Sequence, residues 1–331
     1  MIISRTPLRI SFVGGGSDLP AFYKQEAGAV VSTAINKYIY ITVNAKFDDR
    51  IRVSYSRTEI VDHVDKVRHE LIREALKMVR IDKGIEITSI SDIPSRGTGL
   101  GSSSVYTVGL LNALYAYRNY FAGAERLARE ACLIEIERCG KPIGKQDQYI
   151  AAYGGLQFIR FNPDGSVFVD PVVCTPEARQ RLQEGLLMLY TGLVRKADEI
   201  LSEQSHNTQT DGVKRTSLRR MVGLAEQLRE ALLRNDLEGF GETLHAGWME
   251  KRKLARGVSK PCIDEWYNRA RAHGAIGGKI LGAGGGGFLL LYAPPERHAE
   301  ICEALPELRP IDFRFSPQGS KLIYVEEDGY G

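Results

Sequence analysis

The segment Ile93-Pro94-Ser95-Arg96-Gly97-Thr98-Gly99-Leu100-Gly101-Ser102-Ser103-Ser104 decides how the rest of the chain is read. Glycine recurs at every second position, and three serines then run into the apolar stretch Val105 to Arg118. Glycine tolerates positive φ and lets a backbone approach a ligand closely. Serine is a favoured N-cap, so the pattern predicts a turn that opens a buried helix. Exposed N–H groups at a helix start attract anions. The first expectation is therefore a phosphate-binding loop.

The flanks support that context. Gly84 to Ser91 (GIEITSIS) reads as a strand leading into the loop, and Ala124 to Cys139 as a further helix after it. Upstream, Met1 to Val13, Gly28 to Asn44 and Arg50 to Tyr55 read as strands, and Val64 to Arg80 as an amphipathic helix. Downstream, Leu156–Phe161 and Val167–Val173 form a hairpin around Asn162-Pro163-Asp164-Gly165. A boundary is expected near Thr175 to Gly185, giving units 1–178 and 179–331. The second unit mixes the strands Leu186–Tyr190, Phe288–Tyr292 and Leu322–Glu326 with several helices. Without regular βαβ alternation the class is α+β.

Composition narrows the functional classes. At 331 residues the chain is long enough for two domains. A net charge of +3 with scattered basic residues argues against nucleic acid as a partner. Five cysteines, an odd count without a CxxC pair, argue against a disulfide framework or structural zinc. No apolar run approaches the ~20 residues that span a bilayer, so no membrane role is expected. With no signal-peptide pattern, a cytoplasmic protein is expected. A monomer and a homo-oligomer both stay open.

The loop is not a Walker A sequence, which needs a lysine that is absent here. Nor is it a Rossmann fingerprint, because Ser102 stands where the third glycine should be. The kinase signatures H-R-D and D-F-G are also missing.

What it does resemble is the P-x-G-x-G-L-G-S-S-A loop of the GHMP kinases, with one extra residue after Pro94 and Ser104 in place of alanine. Two further stretches resemble that family's motifs in the same order. Thr6-Pro7-Leu8-Arg9-Ile10 is similar to the first, and Lys279-Ile280-Leu281-Gly282-Ala283-Gly284-Gly285-Gly286-Gly287 to the glycine-rich third. Within the family, Gly14-Gly15-Gly16-Ser17-Asp18 and Gly144-Lys145-Gln146-Asp147-Gln148 look like the branch that phosphorylates D-glycero-D-manno-heptose 7-phosphate. Fucokinase-type members share similar wording.

The resemblance implies a ribosomal-S5-like N-terminal domain, a ferredoxin-like C-terminal domain and an active site between them. It implies ATP and Mg²⁺ as cofactors and a sugar phosphate as substrate. Pro94, Arg96, Gly97, Thr98, Gly99, Leu100, Gly101, Ser102, Ser103 and Ser104 would hold the phosphates. Asp147 would be the base and Arg9 its cationic neighbour. Ser103 and Glu137, ten residues before Asp147, would face the metal, with Glu135 in reserve. Gly15, Gly16, Ser17, Asp18, Lys145, Gly284 and Gly285 would contact the sugar. Asp18 is nine residues after Arg9, where galactokinase-like members bind sugar hydroxyls. A distal phosphate would find Lys145, Arg195, Lys196, Lys251 or Arg252. In the absence of family context, Arg9 reads as a solvent-side residue and Lys251-Arg252-Lys253 as a solvated helix face. A fucose- or galactose-type sugar kinase and a non-catalytic sugar sensor are the alternatives.

Overall fold

In the computed structural model the described residues are 1–93, 98–194 and 197–326. The first sheet is built from β1 (Ile2–Val13), β2 (Gly28–Ala45), β3 (Ile51–Ser54), β4 (Thr58–Val61), β5 (Ile85–Ser91), β6 (Leu156–Phe161) and β7 (Val167–Pro171). The second comprises β8 (Leu186–Tyr190), β9 (Gly277–Ile280), β10 (Phe288–Tyr292) and β11 (Arg309–Pro310). A last strand, β12 (Lys321–Val325), returns to the first sheet.

The helices of the first part are α1 (Pro20–Tyr23), α2 (Glu70–Val79), α3 (Ser102–Tyr117), α4 (Ala124–Cys132), α5 (Gln146–Tyr153) and α6 (Pro176–Glu184). Those of the second are α7 (Ala197–Thr210), α8 (Gly212–Leu233), α9 (Leu237–Lys251), α10 (Pro261–Ala272) and α11 (His298–Ala304). Among the described residues no helix is long and apolar enough to cross a membrane.

The first sheet runs in the order β12-β1-β2-β5-β3-β4, with the β6–β7 hairpin attached to the first half of β2. The second half of β1 and the first half of β2 are covered on both faces. Pro7, Arg9, Ser11 and Val13 of β1 are as buried as Leu8, Ile10 and Phe12 on its other side, and Ser4 and Thr6 are fully buried nearer its start. Helix α3 packs there so closely that a Cβ on Gly109 would lie 2.6 Å from Thr6 Oγ1. It is apolar all round and buried through most of its length, as its sequence predicts. The second sheet has the order β11-β8-β10-β9 with antiparallel pairs. Numbered by chain position within that sheet, its strands lie 4-1-3-2, the ferredoxin-like order. The α+β two-domain expectation is met.

The sheets share one continuous core. Phe240 of α9 packs edge-on to Phe12 of β1 at 5.2 Å and to Tyr292 of β10 at 5.1 Å. Lys279 of β9 donates to the carbonyls of Ser11 and Phe12 at 2.8 and 2.9 Å, and burial pushes its ammonium well below the usual lysine range.

Three expectations change. The end of the chain belongs in space to the first sheet, so 179–331 is not one contiguous unit. The helix expected over Val64–Arg80 is only α2. The carboxylate of Glu59 accepts the N–H groups of Arg68 and His69 and holds them outside the helix. Strands β4 and β9 lie in stretches where no strand was expected.

Glu26 also ties the two parts together. It accepts from Arg219 Nη2 at 2.8 Å and from Arg215 Nε at 2.5 Å, both on α8. Its hydrogen bond to Arg219, reinforced by Arg215, lowers its pKa from 4.5 to about 2. A depressed carboxylate pKa contributes stability above the unfolded-state value and loses it as pH falls through the folded one. The pair is half-exposed, so Glu26→Gln is expected to cost about 1 kcal/mol at pH 7. In chemical denaturation that difference should shrink from about pH 4.5 downward and vanish near pH 2.

Candidate active site

Arg9 comes from β1 where the pairing with β2 slips between Pro7 and Arg9. Proline has no N–H to donate, so the ladder is interrupted there. The Arg9 backbone N–H instead donates to the Leu100 carbonyl at 3.2 Å. Its side chain is not solvent-side but 3% exposed. The guanidinium meets Asp147 with two bonds of 2.7 Å, Nε to Oδ1 and Nη2 to Oδ2, and its Nη1 donates to the Gly99 carbonyl. Such a fork fixes both partners in angle as well as distance. Asp147 sits in the first turn of α5 and keeps one side toward the cleft.

The phosphate-type loop lies against this pair. Gly99 and Gly101 have φ of +80° and +76°, and Gly101 caps α3. Leu100 is fully buried and anchors the turn from below. Thr98 Oγ1 and Ser102 Oγ are buried without a hydrogen-bond partner. Unsatisfied hydroxyls beside a helix start fit an oxyanion they have yet to meet. Ser104 is buried at the same helix start. Pro94, Arg96 and Gly97 lie outside the described residues, as do Arg195 and Lys196.

Ser103 Oγ donates to Glu135 Oε1 at 2.6 Å, and Gln148 Nε2 donates to Glu135 Oε2 at 2.7 Å. Glu135 is fully buried, and that burial raises its pKa to about 7 against the pull of the bonded hydroxyl and amide. Glu137, the first expectation for this place, is exposed. The reason is a π-helical turn over Leu133–Arg138 that follows α4. A wider turn changes which residue faces inward, so counting back from Asp147 selects a glutamate that faces away from Ser103. Among the described residues no group of three or more His, Cys, Asp or Glu could hold a metal. One carboxylate plus a hydroxyl, with phosphates and water completing the shell, fits Mg²⁺.

Asp18 forms the other pole. It is 3% exposed and accepts from the N–H groups of Gly16 at 2.8 Å and Gln146 at 3.2 Å. Burial raises its pKa, the Gly16 bond opposes the shift, and the charge of Asp147 adds to it. Gly144 is required here: a Cβ would sit 1.8 Å from Asp18 Oδ2. Lys251 is also buried in the cleft wall, contrary to its reading as a solvated helix face.

The other expected contacts divide. Gly16 lines the cleft, and the Gly15 carbonyl accepts from Lys251 at its edge. Ser17 is turned inward, donating to Gly14 and Ala29 carbonyls. Lys145 is not on the cleft wall: its ammonium donates to the Gly165 carbonyl at 2.9 Å and covers the Tyr23 ring. Gly284 and Gly285 are engaged with Val258, while Gly282 and Ala283 face the cleft. Arg252 is ion-paired with Asp264 at 3.0 Å away from the cleft.

The cleft encloses about 480 Å³ and runs from Ser103 past Asp147 to Asp18. A second cavity of about 500 Å³ opens behind Ser102 and Ser103. Its wall carries His69 stacked on Tyr106 at 5.5 Å and edge-on to Tyr55 at 4.8 Å. Burial lowers the His69 pKa, keeping the ring neutral. Sequence reading missed this cavity, since its three rings come from separate elements with no shared spacing.

A sequence profile described as GHMP kinases N terminal domain matches residues 63–155, and one described as GHMP kinases C terminal matches 228–309, together just over half of the chain. The chain belongs to the GHMP kinase family. This GHMP kinase is 28% identical over 337 residues to a D-glycero-alpha-D-manno-heptose 7-phosphate kinase of Campylobacter jejuni, covering 97% of this chain and 98% of that one. It is 27% identical over 333 residues to a bifunctional fucokinase/GDP-fucose pyrophosphorylase of Arabidopsis thaliana, covering 93% of this chain and 31% of the relative. The crystal structure of a D-glycero-D-manno-heptose 1-phosphate kinase from Bacteroides thetaiotaomicron matches with a TM-score of 0.82 at 25% identity, over 99% of this chain and 100% of that one. As a GHMP kinase it is a phosphotransferase of sugar-kinase type, for which ATP is the phosphate donor.

Gly101 places the loop against the ion pair. A Cβ there would meet Asp147 Oδ2 at 3.0 Å and Arg9 Cγ at 3.3 Å, at a φ that L-residues avoid. Gly101→Ala is expected to displace the carboxylate and lower kcat about 100-fold, because small misplacements at a reacting centre are that costly. Steady-state kinetics beside a thermal melt would show lost turnover in a protein that stays folded.

Proposed function

We propose that this enzyme transfers the γ-phosphoryl group of ATP to the anomeric hydroxyl of D-glycero-D-manno-heptose 7-phosphate, giving the 1,7-bisphosphate. The product would feed nucleotide-activated heptose for surface polysaccharide in the cytoplasm. The observation that carries the reading is the position of Asp147: forked by Arg9, it lies in one cleft between the serine loop and buried Asp18. Support for heptose 7-phosphate over other sugars comes from the full-length likeness to the Campylobacter jejuni enzyme.

In this reading the triphosphate lies along Thr98, Gly99 and Gly101–Ser104. The orphan hydroxyls of Thr98 and Ser102 and the amides opening α3 donate to its oxygens. The base enters the second cavity against His69 and Tyr106. Mg²⁺ supplies charge neutralisation at the phosphates, and Ser103 Oγ with Glu135 would hold it. Asp18 and the Gly14–Gly16 turn orient the sugar through its hydroxyl groups. Asp147 accepts the proton of the anomeric hydroxyl, the sugar oxygen bonds to the γ-phosphorus, and the bond to ADP breaks. Arg9 holds the carboxylate in line and offsets charge on the transferring group. An anomeric hydroxyl is more acidic than an ordinary alcohol, so one carboxylate suffices.

The test is coupled ADP release with heptose 7-phosphate, unphosphorylated heptose, L-fucose, galactose and mannose. The highest kcat/KM is expected with heptose 7-phosphate. Absence of turnover with every sugar, with ATP still bound, would overturn the kinase reading. Asp147→Asn is expected to lower kcat roughly 10²- to 10⁴-fold, the range of a lost general base, while ATP affinity measured by calorimetry changes little.

A further inference from the structure

Among the described residues three side-chain cations line the cleft: Arg9, Lys141 and Lys251. Arg9 is held by Asp147 and the Gly99 carbonyl. Lys141 has its backbone N–H on the Glu135 carbonyl at 2.9 Å and its ammonium paired with Glu70 of α2. Lys251, in the last turn of α9, lies at the pole of Asp18. It is 3% exposed, and its Nζ donates to the Gly15 carbonyl and to Gln204 Oε1, both at 3.0 Å. Gly15 belongs to the turn that carries Asp18.

Gln204 of α7 is fully buried, and its Nε2 has no hydrogen-bond partner. That amide lies against Gly16, where a Cβ would come within 2.1 Å of it. Gly16 therefore leaves room for Gln204 to pack behind the turn, where its Oε1 accepts from Lys251. Of the other side chains lining the cleft near Asp18, Gln146 keeps a buried Oε1 without a hydrogen-bond partner, and Lys251 brings the ammonium at this pole. An ammonium held out of bulk water favours an anionic group over a neutral hydroxyl.

Resting on the sugar-kinase reading above, we propose that Lys251 receives a second anionic group of the acceptor, a phosphate monoester at the far end of the sugar. Gln204, behind the turn, holds the ammonium in place through its Oε1. Lys251 is then the residue that sets the preference for a phosphorylated over a neutral sugar. Lys145 and Arg252, the other described candidates, are engaged outside the cleft.

The experiment compares the wild type with Lys251→Met and Lys251→Gln on D-glycero-D-manno-heptose 7-phosphate and on unphosphorylated D-glycero-D-manno-heptose. The glutamine variant keeps a donor for the Gly15 carbonyl, so it covers the case in which methionine unfolds the turn. KM for the phosphorylated sugar is expected to rise roughly 10- to 100-fold more than KM for the neutral one, the worth of a charge-assisted hydrogen bond. KM for ATP should not follow, and Lys251→Arg should recover part of the preference. If both sugars are penalised alike, Lys251 only clamps the glycine turn and the proposal fails, while the heptose reading stands. If the wild type turns over only unphosphorylated sugars, the proposal and the heptose 7-phosphate reading fail together.

Discussion

A guanidinium and a carboxylate, forked together out of bulk water, hold this active site in one geometry. Arg9 arrives from β1 and Asp147 from α5, more than a hundred residues apart. The same guanidinium reaches the Gly99 carbonyl, and the backbone behind it reaches Leu100. One side chain thus joins a strand, a loop and a helix. Asp147 keeps 22% of its side chain exposed toward the cleft, so losing its charge leaves Arg9 its bonds to Gly99 and Leu100, whereas losing Arg9 frees the loop and the carboxylate together. The loop's shape and the direction of the Asp147 carboxylate therefore depend on the same arginine.

The second requirement is space for backbone. Asp18 can be wrapped by N–H groups only because residue 144 has no Cβ, and Gln204 can pack behind the turn only because residue 16 has none. Buried lysines add the connection between the sheets. Lys279 binds carbonyls at the end of β1, and Lys251 binds the turn that follows it. The acceptor pole is thereby made by both halves of the molecule.

Much of this was legible in the sequence, for identifiable reasons. The alternating glycines and following serines specify a loop and a helix start locally, and α3 begins at Ser102 accordingly. Asp18, Arg9 and Asp147 were found through motif resemblance, and the structure brings all three to one cleft. The glutamate beside Ser103 is Glu135 rather than the expected Glu137, because a π-turn breaks the regular count on which offset reasoning relies. Lys251 was hidden because a Lys-Arg-Lys run is ordinarily a solvated face, and only the tertiary packing of α9 buries its first member. Lys145 shows the reverse: a motif neighbour of Asp147 whose ammonium is used by a hairpin carbonyl and a tyrosine ring. The return of the last strand has no local signal, since pairing across more than 300 residues is settled by topology.

That last strand has a consequence for synthesis. β12 covers the edge of β1, pairing Ile2 with Val325 and Arg5 with Lys321. A chain emerging from the ribosome presents β1 some 320 residues before its outer partner is made. Throughout that interval the first sheet has an open edge, the kind of surface on which strands of other chains can add. The ferredoxin-like half is in effect an insertion that must be completed before the first half can close. Very non-local closure of this type slows folding. A nascent chain halted before residue 321 could hold the cleft residues and yet lack the strand that seals the sheet carrying Arg9.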